Sequence, residues 1–165
     1  LGEDRGGPTR VEAKNFTQTK AKTYNAPPHY EVHCEYAGGI RTSMGPHNTM
    51  GMKVIGTEGW VHVTRGKITC SNPALLKPDF NPGPFKGYLS PGHTRNFLDC
   101  VKSRKETICP AETAHRSITP GHLGYVSNTL GRALKWDAKK EQVTGDAEAQ
   151  KLLTQMTHRK PWTLG

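Results

Sequence analysis

The stretch Tyr30-Glu31-Val32-His33-Cys34-Glu35-Tyr36 alternates without exception. Tyr30, Val32, Cys34 and Tyr36 fall on one side of an extended chain, and Glu31, His33 and Glu35 on the other, with His29 continuing the polar side. A period of two is the signature of a half-buried β-strand with one face on a core and one toward solvent. Ala37-Gly38-Gly39 turns this strand into a second over Ile40 to Met44, and Thr9 to Lys20 upstream reads as a weaker one with Val11, Ala13 and Phe16. A turn at Asn25 to Pro28 separates the two. Downstream, Gly51 to Gly56 and Trp60 to Thr64 are joined by Gly56-Thr57-Glu58-Gly59, and Arg65-Gly66-Lys67 leads into Ile68 to Ser71. The first half of the chain therefore reads as an antiparallel meander.

The second half changes period. Residues 72–92 contain Pro73, Pro78, Pro82, Pro84 and Pro91, five prolines that forbid an interior helix or a central strand, so a long proline-rich loop is expected. Ser90 as N-cap and Pro91 at the first helical position would open a helix through Lys105, with Phe97, Leu98, Val101 and Cys100 as its apolar face. A second helix is expected over Ala111 to Arg132, with a kink or late start at Pro120. A third over Ala147 to Met156 has Asp146 as its cap. Strands followed by helices make an α+β fold: an open, mainly antiparallel β-sheet with helices packed on one face.

Composition bounds the rest. With 165 residues the chain has room for one domain, residues 1–165, without needing disulfides or a metal. Gly 18 and Pro 12 exceed the usual share and agree with many turns. Hydrophobic residues make up 33%; with glycine counted in place of tyrosine the share is about 41%, a little below the ~45–50% of globular chains. A modest core, or a surface that a partner covers, follows.

The net charge of +9 is spread along the chain, and its densest run, Lys102 to Lys105, is broken at once by Glu106. A nucleic-acid reader would concentrate it on one element, so no nucleic-acid partner is expected. Cys34, Cys70, Cys100 and Cys109 contain no Cys-x-x-Cys pair, and unpaired thiols in a reducing, cytoplasmic setting are expected. No apolar run approaches the ~18 residues of a membrane span. The chain begins with Leu1 rather than Met, so a processed chain or a piece of a longer one is expected, and export stays open.

Several residues carry chemistry by type. His29 and His33 share a face with Glu31 and Glu35, but the two histidines stand about 13 Å apart on an extended strand, too far to share one ion. No metal site is expected, and the face reads as solvated or as an interface. His93, Thr94, Arg95 and Asn96 occupy the first turn of a helix, where free N–H groups favour an anion. His115 and His122 lie seven apart on the second helix, with Arg116 and Tyr125 nearby. Gly-x-Ser-x-Gly, a phosphate loop and Gly-x-Gly-x-x-Gly are all absent, so no catalytic residue and no cofactor-binding residue is assigned.

Three stretches carry a resemblance. Gly56-Thr57-Glu58-Gly59-Trp60-Val61-His62-Val63, His93-Thr94-Arg95-Asn96-Phe97-Leu98-Asp99-Cys100-Val101-Lys102-Ser103-Arg104, and His115-Arg116-Ser117 through His122-Leu123-Gly124 to Leu130-Gly131-Arg132-Ala133-Leu134-Lys135-Trp136-Asp137 resemble the C-terminal domain of Gfo/Idh/MocA-type oxidoreductases. Gly145 to Ala149 and Arg159 to Trp162 resemble the tail of a bacterial subgroup. The resemblance implies a parent with an N-terminal Rossmann domain binding NAD or NADP, hydride exchange with a sugar, inositol or related polyol, and a homo-oligomer assembled through the sheet.

On that reading the glycine-rich nucleotide loop, the Glu-Lys-Pro lysine and the Asp/His pair of the family lie outside this chain, which binds no cofactor alone. His93, Arg95 and His122 become substrate-binding candidates by hydrogen bonding or charge neutralisation, and His29, Glu31, His33 and Glu35 oligomer-interface candidates. A standalone sheet-mediated interaction module is the alternative, and a basic nucleic-acid binder a third reading.

Overall fold

The computed structural model describes residues 5–17, 19–23, 27–81, 88–155 and 160–161. Residues 1–47 and 109–165 form one compact unit and residues 48–108 another. Part of the expected proline-rich loop (residues 82–87), the first half of the turn at 25–28, Met156 and Trp162 lie outside the described residues.

The first unit is built on β1 (Arg10–Thr17), β2 (His29–Glu35), β3 (Arg41–Met44), β7 (Leu134–Asp137) and β8 (Gln142–Val143), in the order β3-β2-β1-β7-β8. Numbers β4 to β6 belong to the second unit. Every pairing is antiparallel. In β2 the alternation holds: Val32 and Cys34 are buried, whereas Tyr30 at its start is exposed. Val11 of β1, Leu134 and Trp136 of β7 and Val143 of β8 complete the inner face.

Two helices cover that face, α2 (Ala111–Leu130) through Leu123 and Val126, and α3 (Ala147–Thr154) through Ala149. α2 lies so close that a Cβ added at Gly124 would stand 2.6 Å from Val32 Cγ2. Glycine is required there by contact rather than by backbone angle. One turn on, Ser127 is fully buried and fully used: its Oγ accepts from the Ala13 N–H at 2.9 Å and donates to the Arg132 carbonyl at 2.7 Å. β7 pairs only with Arg10 and Val11 of β1, so the hydroxyl serves a strand amide beyond the end of that pairing.

In this unit three points differ from the sequence reading. Pro120 neither delays nor ends α2, which is helical from Ala111 to Leu130 with the proline ring buried; packing on β1, β2 and α3 holds the turns that follow it. The helix stops two residues before Arg132, because Gly131 takes a left-handed φ of 64° and the Arg132 N–H closes back on the Ser127 carbonyl. Leu134 to Val143 is a strand pair that the sequence reading did not assign, although the buried–exposed alternation of Leu134 to Trp136 is its signature.

α3 starts where expected, with the Asp146 carboxylate accepting from the Ala149 N–H. Arg132 reaches the same carboxylate at 2.8 and 3.0 Å and Glu148 at 2.7 Å.

The second unit holds β4 (Met52–Gly56), β5 (Gly59–Thr64) and β6 (Lys67–Cys70) in a separate antiparallel sheet. The expected single meander thus divides after β3, since β4 to β6 pair only with one another. Gly59, at φ 145°, leaves room for the Ser71 hydroxyl, which accepts from the Trp60 N–H at 2.8 Å. Met52, Val54, Val61, Val63, Ile68 and Cys70 share one face of this sheet by their pairing.

The unit's helix, α1 (His93–Ser103), begins at Gly92, not at Ser90, whose hydroxyl instead accepts from the Gly92 N–H. Its expected apolar face is also corrected. Phe97, Leu98 and Val101 are exposed, and the buried residues are Asn96 and Cys100.

Two measurements test this packing. Gly124→Ala is expected to destabilise the fold, since overpacking costs about 1–3 kcal/mol and exceeds the roughly 1 kcal/mol of helix propensity gained; the double variant with Val32→Ala should recover part of the loss in denaturant unfolding. Asp146 is held down to about 2 by the Arg132 guanidinium and then by the Ala149 N–H. A depressed carboxylate stabilises above its unfolded value and loses that contribution as pH falls toward the folded one. The stability gap between wild type and Asp146→Asn, which keeps a capping side chain, should therefore be full at pH 6 and close between about pH 4 and about pH 2.

Candidate functional site

The outer face of the five-stranded sheet carries neither α2 nor α3, the helices of its own unit, and cross-strand pairing sets its charges in rows. Arg10 stands between Glu35 of β2 and Lys135 of β7, with Arg41 of β3 beyond Glu35. The next row is Glu12, His33 and Ser43, and then Lys14 opposite Glu31. Arg10 bridges Glu12 at 2.9 Å and Glu35 at 3.2 Å, and Lys14 reaches Glu12 at 3.3 Å. Glu31 accepts from the Asn15 amide at 2.9 Å and meets His33 Nε2 at 3.2 Å.

These contacts set the ionisation. The Asn15 amide and then the His33 ring hold the Glu31 carboxyl below its ordinary value, and the Arg10 hydrogen bond does the same for Glu12. The structure thus brings Glu31 and His33 together, places Glu35 with Arg10, and leaves His29 exposed at the strand's start. On β1, Arg10, Glu12, Lys14 and Asn15 take part in this face and were missed by sequence reasoning. They sit on the weaker strand, whose register with β2 no local pattern announces.

His93 and Arg95 lie in the first turn of α1 and are exposed. Gly92 gives that end no capping side chain. Arg95, however, is engaged within its own helix, where two of its nitrogens each stand 3.0 Å from the Asp99 carboxylate. Asn96 is the structural residue of the turn. Buried, it accepts from the Ile108 N–H and donates to the Tyr88 hydroxyl, both at 3.0 Å, tying the chain on either side of α1 to the helix.

His122 lies on α2, exposed, in the other compact unit. His115 and Arg116, near it on the helix, are engaged with other partners. His115 Nε2 meets Glu141 at 3.1 Å, and Arg116 holds Glu112 at 2.9 Å, Glu141 at 2.8 Å and the Ala138 carbonyl. This network clamps the start of α2 to the β7–β8 turn, a structural task.

Cys34 and Cys100 are buried, Cys70 is partly covered and Cys109 is exposed, all as free thiols. Burial pushes the Cys34 thiol up, which keeps it protonated and a poor nucleophile. Among the described residues no group of three His, Cys, Asp or Glu side chains is placed to hold a metal ion, and no described helix is long and apolar enough to cross a membrane.

Removing the clamp in α1 should be felt locally. Asn96→Ala strands the Ile108 N–H and the Tyr88 hydroxyl and is expected to cost about 1–3 kcal/mol, read as faster hydrogen exchange at Ile108 and a lower unfolding midpoint. Unchanged exchange at Ile108 would contradict the assignment.

The residues that carry the resemblance are distributed over these same elements: the β4–β5 turn, α1, α2 and β7. No curated protein and no solved structure matches the chain. A family model described as the oxidoreductase family, C-terminal alpha/beta domain, matches residues 1–164. With a match over nearly the whole of an α+β chain whose antiparallel sheet carries helices on one face, the protein belongs to the Gfo/Idh/MocA oxidoreductase family, as its C-terminal domain.

Proposed function

We propose that residues 1–165 act as the substrate-binding and oligomerisation domain of an NAD(P)-dependent oxidoreductase working on a sugar, inositol or related polyol. The family match over residues 1–164 carries this reading. The described strands support assigning the cofactor elsewhere. All described strand pairs are antiparallel, whereas a dinucleotide pyrophosphate is held where a parallel strand runs through a glycine-rich turn into a helix N-terminus. NAD(P) and its hydride chemistry are therefore assigned to a Rossmann domain of the parent enzyme.

What this chain contributes is recognition and assembly. His93, Arg95 and His122 are exposed groups suited to hydrogen bonding or charge neutralisation of a polyhydroxylated substrate; Arg95 would do so with Asp99 still attached, as a pair that both donates and accepts. Oligomerisation is proposed through the open face of His29, Glu31, His33 and Glu35. Its support is the mixture of Arg10, Lys14, Arg41 and Lys135 with Glu12, Glu31 and Glu35, a pattern that a second copy related by a two-fold axis can complement.

Light scattering on the chain and on its double charge reversal, Glu31→Lys with Glu35→Lys, tests the interface. The expected result is an oligomer that the reversal converts to a smaller species, with like charges now facing across the axis. An unchanged mass overturns the interface. Calorimetry should find no tight NAD(P) binding to the 165 residues, and tight binding would overturn the division of labour.

A further inference from the structure

We propose that the hollow on β4 and β5 formed by Thr49, Lys53, Trp60 and His62 binds a carboxylate-bearing sugar, with the ring of the sugar on the Trp60 indole and its carboxylate on Lys53. The site lies within residues 48–108 and stands independently of the oxidoreductase reading.

Trp60 is the first observation. Tryptophan is a costly residue to leave partly open on a sheet face, and the chain shows the contrast: Trp136 is 8% exposed in the core of the other unit, whereas Trp60 stays only half-buried. Trp60 pairs with Ile55 across β4 and β5, and Lys53 with His62 one step along, so the aromatic, the ammonium and the imidazole stand on the same sheet face.

The second observation is the company Lys53 keeps. Its Nζ rests 4.4 Å from the centre of the Trp60 ring, and among the described residues no carboxylate pairs with it. A cation settled on an aromatic face, in a hollow without an acidic wall, is held by a weak and exposed contact. A ligand carboxylate offers that ammonium a charge-assisted hydrogen bond. The ring face it vacates then meets the C–H side of a sugar, whose slightly positive hydrogens suit the negative face of the indole.

The third is the tautomer of His62. Its Nε2 lies 3.1 Å from the Met50 carbonyl oxygen, which can only accept, so Nε2 carries the hydrogen and a neutral ring keeps Nδ1 as an acceptor. With Thr49 and His62 also lining it, the hollow combines a cation, polar side chains and an apolar plate. Neutral sugars would leave the cation unused, and simple carboxylates would leave the plate unused. The chain's net charge of +9 favours the approach of an anion.

Titration of the full 165-residue chain with D-glucuronate, D-glucose and acetate, followed by saturation-transfer NMR and tryptophan fluorescence, tests the site. Glucuronate is expected to bind saturably and at least tenfold more tightly than glucose or acetate. Lys53→Met should bring glucuronate down to the level of glucose, Lys53→Arg should restore part of the preference, and Trp60→Ala should abolish binding. Glucuronate binding no tighter than glucose, or a preference that survives Lys53→Met, overturns the proposal. Should Trp60→Ala fail to fold, the two Lys53 variants decide the matter alone, since Lys53 lies on an exposed strand. A negative titration leaves the oligomer and the NAD(P) result untouched.

Discussion

Helix α2 rests on the five-stranded sheet through a patch too small for a side chain, and the first unit is organised around that approach. Gly124 sits against Val32, Leu123 and Val126 fill the space to either side, and Ser127 hydrogen-bonds directly to the backbone of β1. Because the helix lies so close, its Ser127 hydroxyl can serve an amide left over beyond the short β1–β7 pairing, and the same hydroxyl closes the helix by binding the Arg132 carbonyl. A larger residue at position 124 would lift the helix, lengthen the Ser127–Ala13 hydrogen bond and leave a strand amide unserved. The capture of Arg132 by Asp146 and Glu148 then links the end of α2 to the start of α3.

One consequence concerns the opposite face. With α2 and α3 committed to the inner face, the outer face of the same strands carries charges arranged by cross-strand register rather than by neighbours in sequence. Arg10 reaches Glu35 over 25 residues of chain, and Asn15 reaches Glu31 over 16. These pairs are exposed, so each is worth little to stability. What they do is present both signs of charge on one surface, the pattern on which the proposed association rests.

The second unit follows a different economy. Its helix buries Asn96 and Cys100 while Phe97, Leu98 and Val101 remain exposed. The apolar residues at helical spacing were readable, but the decision about which side of α1 faces its own unit belongs to Asn96, whose amide joins Tyr88 and Ile108. An asparagine on an otherwise apolar helix looks like a surface residue until its partners, eight and twelve positions away, are placed.

By itself the sequence determined the elements whose cause is local. The strict alternation of β2, the glycine turns of the hairpins, the Asp146 cap and the strands-then-helices order all depend on residues within a few positions of one another, and each stands where the pattern put it. Tertiary structure decided what depends on distant partners. It separated two sheets where one meander was expected, placed β7 beside β1, kept α2 helical through Pro120, and withdrew His115 and Arg116 into a structural clamp on Glu141. The physical reason is that periodicity fixes which face of an element is apolar, whereas register, crossover and close approach are settled only when that face meets another.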